Sequence, residues 1–288
     1  MYQRILISLA TALLSSVTSL YWVGDSFAQP TAIPREFADT LSAIDRAANQ
    51  RQLDTLLAFY SDKFSHGDGL TKAQISEQLQ ALWQRYSQLQ YSTRIAKLDI
   101  KGEQYIAETV TEITGKDTNQ AQLEAKVIAR QTYQRNGTQF RLLRQEIISE
   151  RSFLSSGATP PEVRLKIPEL IGVGRQFTLD AIVTQPVGNG VLLGGIVDEP
   201  VNGQNFLKTN PVRLQQLRAG GIFRVGQAPF TPGDRWVSVV LVRENGMTIA
   251  SQRMRVSKDA VGNQYTPLPN IPFSPSRVRP TPSDPPTS

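Results

Sequence analysis

The chain has 288 residues, no cysteine, a single histidine and a formal net charge of +6. Without Cys, disulfides, thiolate metal sites, a Cys nucleophile and a lipid-modified N-terminal Cys are all excluded. The Lys and Arg residues are scattered among acids and form no run, which excludes a nucleic-acid stripe and leaves a weak attraction to anionic surfaces.

The length suggests two domains. Arg4 gives a positive start, residues 5–23 are an apolar run, and Ser26-Phe27-Ala28 has small residues where a signal peptidase reads them. Residues 1–28 are therefore expected to be a signal peptide, with the mature chain periplasmic or extracellular. The alternative is an uncleaved tether, because the run nearly reaches the roughly 20 residues that span a bilayer. No later segment is apolar enough to span, so no membrane span is expected after export.

Three helical patterns follow. Pro34 suits a first helical turn, and Phe37, Leu41, Ile44 and Ala48 lie on one face. Leu53, Leu56, Leu57 and Tyr60 make a second stripe. Thr71 and Gln74 predict a capping box, with Ile75, Leu79, Leu82, Trp83 and Tyr86 on the face of the third helix. Strands are then predicted over 91–100, 105–114, 123–133 and 140–149, with hairpin turns at Lys101-Gly102 and Asn136-Gly137 and a polar turn at 115–120. This order predicts an α+β module over 34–152, its helices on one face of a curved antiparallel sheet.

A linker is expected at 153–161, where Ser, Gly and Pro cluster. Beyond it, strands are predicted over 162–167, 176–183, 191–197, 212–217, 222–225, 236–243 and 248–256, with Asn245-Gly246 as a strong hairpin signal. Seven short strands at this spacing predict an all-β, immunoglobulin-like sandwich over 162–258. Residues 259–288 are rich in Pro and Ser and predict a disordered or polyproline tail.

The stretch 49–64, with Leu53-Asp54 opening the second helix and Phe59-Tyr60-Ser61-Asp62 closing it, resembles the NTF2-like superfamily, which includes SnoaL-type cyclases and ketosteroid isomerases. Gln139-Phe140-Arg141-Leu142 resembles that family's late strand. The resemblance implies a conical fold whose sheet curls round a pocket, often dimeric through the sheet, and it implies little about activity. Isomerase members use a carboxylate base after the second helix with a Tyr and a protonated acid as oxyanion donors. Laid on this chain, that pattern puts the base at Asp68 and the Tyr at Ile44, which cannot donate a hydrogen bond.

Asp68 and His66 are thus the catalytic candidates, set against the plainer reading of His66-Gly67-Asp68-Gly69 as a turn before a helix. Phe59, Tyr60, Trp83 and Tyr86 are candidates for lining a ligand pocket, or are simply core. Glu108 and Glu112 are expected across strands from Lys126, Arg130, Arg141 and Arg144, as a solvated face or a polar dimer interface. Gly194-Gly195 and Gly220-Gly221 read as bulges or turns, because neither stands between a strand and a helix as a phosphate cradle requires. No metal site and no cofactor is expected. The function expected is a non-enzymatic envelope protein binding a protein partner or a small apolar ligand. The alternative is a SnoaL- or isomerase-like enzyme acting on a small cyclic or carbonyl substrate.

Overall fold

A computed structural model describes residues 33–185, 190–202, 211–217, 220–260 and 262–264. The expected signal peptide and all but the first few residues of the Pro-rich tail lie outside the described residues. The described chain is mostly β, with few helices.

Helix α1 (Arg35–Asn49) starts at Pro34, whose extended backbone serves as the N-cap. Its apolar stripe buries Phe37 and Leu41 against the sheet. Two polar side chains fix its pitch: Asp45 accepts hydrogen bonds from the Thr93 amide and hydroxyl, and Asn49 bonds both ways to the Tyr91 backbone. Arg51 then turns the chain in the left-handed region, at φ 57°. Its guanidinium is held there by the carbonyls of Tyr86 and Ser87.

Helix α2 (Leu53–Leu57) is a single turn. The expected stripe ran on to Tyr60, but Tyr60 instead opens strand β1 (Tyr60–His66). Tyr60 and Phe64 have alternating spacing and stack edge-on at 4.8 Å, so a strand buries both on one side. The capping box of α3 (Lys72–Arg85) forms as expected: the Gln74 amide donates to Thr71 Oγ1, and the Thr71 amide donates to Gln74 Oε1. Tyr86, expected inside the helix, is its C-cap and has extended backbone angles.

The meander follows as β2 (Gln90–Lys101), β3 (Gln104–Lys116), β4 (Gln122–Asn136) and β5 (Gln139–Gly157). Strand β3 runs two residues into the expected 115–120 turn. The larger departure is β5. Residues 153–157 were expected as linker, yet they are strand and pair with β13 (Gly246–Ser257) from Gly157↔Gly246 to Arg151↔Gln252. The physical reason is the alternation of Phe153 and Leu154. Phe153 packs on the core of the second half and Leu154 on the Trp83 cluster, so the extended backbone is pinned from both sides despite its Ser and Gly content.

The second half adds β6 (Val163–Lys166), β7 (Leu170–Gly172), β8 (Gln176–Val183), β9 (Leu193–Pro200), β10 (Gln215–Gln216), β11 (Gly221–Gln227) and β12 (Gly233–Arg243). The β12–β13 turn is Glu244-Asn245, closed by Arg243↔Gly246, one residue earlier than expected. The strands form a sheet of order β10-β9-β12-β13-β5-β4-β3-β2, with β1 parallel to β5 and β7 parallel to β13. A three-stranded sheet, β11-β8-β6, faces part of it across a core that includes Phe177, Leu179, Ile222, Val239, Leu241 and Met254. Gly194 belongs to that packing: a Cβ there would lie 2.7 Å from Leu217 and 2.9 Å from Leu241.

Candidate functional site

The helix-facing side of the large sheet carries two different fillings. At the β2–β4 end, Phe37 from α1 occupies the middle, its ring 5.2 Å from those of Tyr105, Tyr133 and Phe140. Tyr60 packs against this group, and burial pushes its phenol up to about 12. Trp83 and Tyr86 belong to a separate cluster with Ala47, Leu56 and Leu89. Phe59 is half-buried, and its carbonyl accepts from the Leu142 amide. The four aromatic pocket candidates are therefore divided between two packed clusters and a turn, and do not surround one cavity. Trp83 also edges a shallow cleft of about 580 Å³ with Arg51, Gln80, Gln84 and Ser87.

The second filling is ionic. His66-Gly67-Asp68-Gly69 is a turn, as expected, but it is aimed at β13. Arg253, with a side chain 1% exposed, donates to both Asp68 carboxylate oxygens, at 2.9 and 2.8 Å. The same guanidinium donates to Asp234 at 2.9 Å and Glu150 at 3.2 Å. Arg255 joins Asp234 at 3.1 Å and Glu146 at 3.4 Å. Burial alone would lower the Arg253 pKa; the Asp68 hydrogen bonds and the Glu150 and Asp234 carboxylates outweigh it and raise the value.

His66, with a side chain 4% exposed, accepts the Asp68 amide at Nδ1, which makes Nδ1 the unprotonated nitrogen. Burial lowers its pKa, the nearby Asp68 carboxylate partly opposes this, and Arg253 adds to the lowering. Next to the ring, the Tyr133 hydroxyl donates to Gln131 Oε1 and the Gln131 amide donates to Gln145 Oε1, and the Gln145 amide nitrogen lies 3.5 Å from His66 Nε2. So Asp68 and His66 are together, but the carboxylate placed by the isomerase pattern is occupied on both oxygens by a guanidinium. A general base must lie within reach of a substrate proton, and the Asp68 side chain is only 9% exposed.

Beside this cluster the sheet face is hollow. Ser152, Ser251 and Ser238 stand next to one another in register across β5, β13 and β12. The next pairs along hold Leu154, Ile249 and Val240. On the other side of the serines, Trp236 lies between Arg253 and Glu199. The result is a groove of about 220 Å³ lined by Glu150, Ser152, Glu199, Trp236, Ser238 and Ser251. The Trp236 indole N–H donates to Glu150 Oε2 at 3.1 Å, and the Ser238 and Ser251 hydroxyls are 2.7 Å apart.

Sequence reasoning missed Arg253, Glu150 and Asp234. Arg253 is 185 positions from Asp68 and 103 from Glu150, and no local pattern links them. In β13 the polar Ser251, Arg253 and Arg255 alternate with Ala250, Gln252 and Met254, which reads as an ordinary solvated strand face. The expected cross-strand charges do align, as Glu108↔Arg130 and Glu112↔Lys126. Arg141 turns away to the Ala58 carbonyl. Among the described residues no group of three or more His, Asp or Glu is placed to hold a metal ion. Nor, among them, is any helix long and apolar enough to cross a membrane.

Residues 158–257 match a family described as "Domain of unknown function (DUF8623)". A comparison with curated proteins gives no match. Among solved structures, the chain is similar to Bd1075 of Bdellovibrio bacteriovorus, at 11% identity and a TM-score of 0.34, over 39% of this chain and 38% of that one. It thus spans well under half the length of that protein. A putative scytalone dehydratase from Novosphingobium aromaticivorans is similar at 11% identity and a TM-score of 0.35, over 39% of this chain and 80% of that one. A protein of ketosteroid isomerase-like fold from Catenulispora acidiphila is similar at 15% identity and a TM-score of 0.28, over 37% and 82% of the two chains.

Proposed function

We propose that this chain is an exported, non-enzymatic binding protein, in which an NTF2-like module and an immunoglobulin-like sandwich share one sheet and present a groove where they join. The observation that carries the reading is the bidentate Asp68–Arg253 pair. It spends the one carboxylate the isomerase pattern supplies on holding the two halves together. Ile44, at the position of the oxyanion donor, packs against apolar clusters and offers no hydrogen-bond donor there, which supports the same reading. The aromatic filling around Phe37 also argues against a small apolar ligand held in the cone, and moves the expected ligand to the polar groove. Homodimerisation through the outer sheet face, where Glu108↔Arg130 and Glu112↔Lys126 align, is compatible with this reading.

The test is turnover of a β,γ-unsaturated ketone. The wild-type chain and Asp68→Asn should both match the buffer rate. Turnover that falls ~100-fold or more in a still-folded Asp68→Asn would restore the enzyme reading. Export rests on the pattern of residues 1–28, and predicts that protein recovered from the envelope begins at Gln29; a chain recovered with Met1 would refute cleavage.

A further inference from the structure

We infer that residues 265–273 of this chain lie as a polyproline strap across the outer face of the three-stranded sheet, with Tyr265, Leu268 and Ile271 seated along Val225, Phe223 and Ile182. This face is separate from the groove, and the inference goes beyond the binding reading above.

The face comes first. Along β11, Ile222 and Gly226 turn inward: Ile222 is in the core, and a Cβ on Gly226 would lie 2.7 Å from the Phe177 ring. Phe223 and Val225, at the alternate positions, point outward and are 51% and 70% exposed. Ile182 of β8 stands on the same side, opposite Gly221, which adds no side chain. Phe230, 77% exposed, lies against Gly174 at the end of the sheet where Gln176 pairs with Gln227. These are four of the eight exposed large apolar side chains among the described residues, so apolar exposure is concentrated on this small sheet. A concentration of that kind marks an interaction surface, whereas single exposed apolar residues need no explanation.

Position chooses the occupant. The Asn263 side chain donates to the Gln176 carbonyl, the Gln264 amide donates to the Leu170 carbonyl, and the Gln264 carbonyl accepts from the Glu169 amide. The last described residues are thus tied beside the same end of the sheet as Phe230, with residues 265–288 still to follow. Residues 265–273 read Tyr-Thr-Pro-Leu-Pro-Asn-Ile-Pro-Phe. Their prolines favour the polyproline helix, in which every third residue falls on one side; here that side holds Tyr265, Leu268 and Ile271. At about 3.1 Å per residue this stripe is ~19 Å long. The outward row of β11 from Gln227 to Gly221 is ~20 Å long at about 3.3 Å per residue. Stripe and row match in length and start from the same end, so Leu268 meets Val225 and Phe223, and Ile271 meets Ile182. Aromatic-lined surfaces take up proline-rich segments through this preformed, low-entropy helix. The short tether also holds the segment at a millimolar-scale effective concentration that a free partner would have to match.

The experiment uses the full chain, whose lack of Cys lets a single Asn270→Cys substitution carry a nitroxide. Asn270 lies off the contact stripe. The nitroxide should broaden the backbone amide signals of Phe223 and Val225. Adding Leu268→Ser and Ile271→Ser keeps the tether and removes two anchors, so the docked-to-free ratio should fall about tenfold or more, and the broadening with it. Val225→Glu, at an exposed position, should have the same effect on the Phe223 signal from the sheet side. Unchanged broadening in the Leu268→Ser, Ile271→Ser chain would overturn the proposal, because tethering alone would then explain it. Broadening no greater than at the exposed Ile100 of β2 would overturn it as well. Mixing nitroxide-bearing chain with isotope-labelled, unmodified chain separates the sources. Broadening of Phe223 and Val225 in the unmodified chain would put the tail of a second copy on this face and overturn the intramolecular strap; its absence there, with broadening inside the modified chain, is the result expected.

Discussion

The two fillings of the helix-facing sheet surface solve one packing problem with opposite chemistry. At one end, Phe37 and its aromatic neighbours exclude water by area alone, and each partner is placed by its own element. At the other, Arg253 is equally buried, but it is acceptable there only because Asp68, Glu150 and Asp234 converge on it from three separate segments. The first arrangement tolerates imperfection, since a hydrophobic contact has no required direction. The second does not, because each missing partner leaves a charge uncompensated. The ionic end therefore specifies how the two halves meet, and the aromatic end mainly adds stability.

The largest expected effect breaks this contrast at its centre. Arg253→Met should cost about 3–5 kcal/mol, as the loss of one partner from a buried ionic group does. Phe37→Ala should cost a similar ~3–5 kcal/mol through cavity formation. The two separate on rescue. Adding Asp68→Leu to Arg253→Met removes one stranded carboxylate and should recover part of the loss, as seen in denaturant midpoints. No charge change near β13 should rescue Phe37→Ala. If Arg253→Met melts like the wild type, the ionic junction does not hold the halves in register.

A smaller effect tests the part of the fold that is most local. Thr71→Ala removes the capping hydroxyl of α3 and should lower stability by about 1 kcal/mol by denaturant unfolding. A change no larger than that of the neighbouring exposed Lys72→Ala would mean that the cap is dispensable. This feature was legible in the sequence because the whole interaction spans four residues. The same holds for α1, whose stripe needs only helical periodicity, and for the meander, whose alternation and Gly turns are local. What was not legible depended on partners far along the chain. Tyr60 leaves the helical stripe because β5 offers it an extended neighbour, and Ser155-Ser156-Gly157 are strand because β13 pairs with them. Asp68 was rightly seen as part of a turn, but no spacing could show that the turn points at Arg253. The groove was invisible for the same reason: its serines come from positions 152, 238 and 251, and only pairing brings them side by side.

The smallest expected effect isolates one proton at the ionic end. Burial lowers the His66 pKa in the folded chain below its ordinary value near 6.5, with Asp68 opposing this and Arg253 reinforcing it. As pH falls through the region of the unfolded value, the unfolded chain takes up the proton before the folded one. The unfolded state then binds more protons, so stability rises with pH in that window and is lost on acidification. Glu169 acts in the opposite sense at the acidic end, because burial raises its pKa and the folded chain holds that proton more tightly. The two contributions overlap in the wild-type curve, so the informative quantity is the difference from His66→Gln, which keeps a hydrogen-bonding side chain without the titration. The wild type should lose more melting temperature than His66→Gln between pH 7.5 and pH 5.5. Parallel curves would show that the imidazole is not held neutral beside Arg253. A steeper loss in the variant would mean that the Asp68 carboxylate dominates and that His66 is charged in the folded protein.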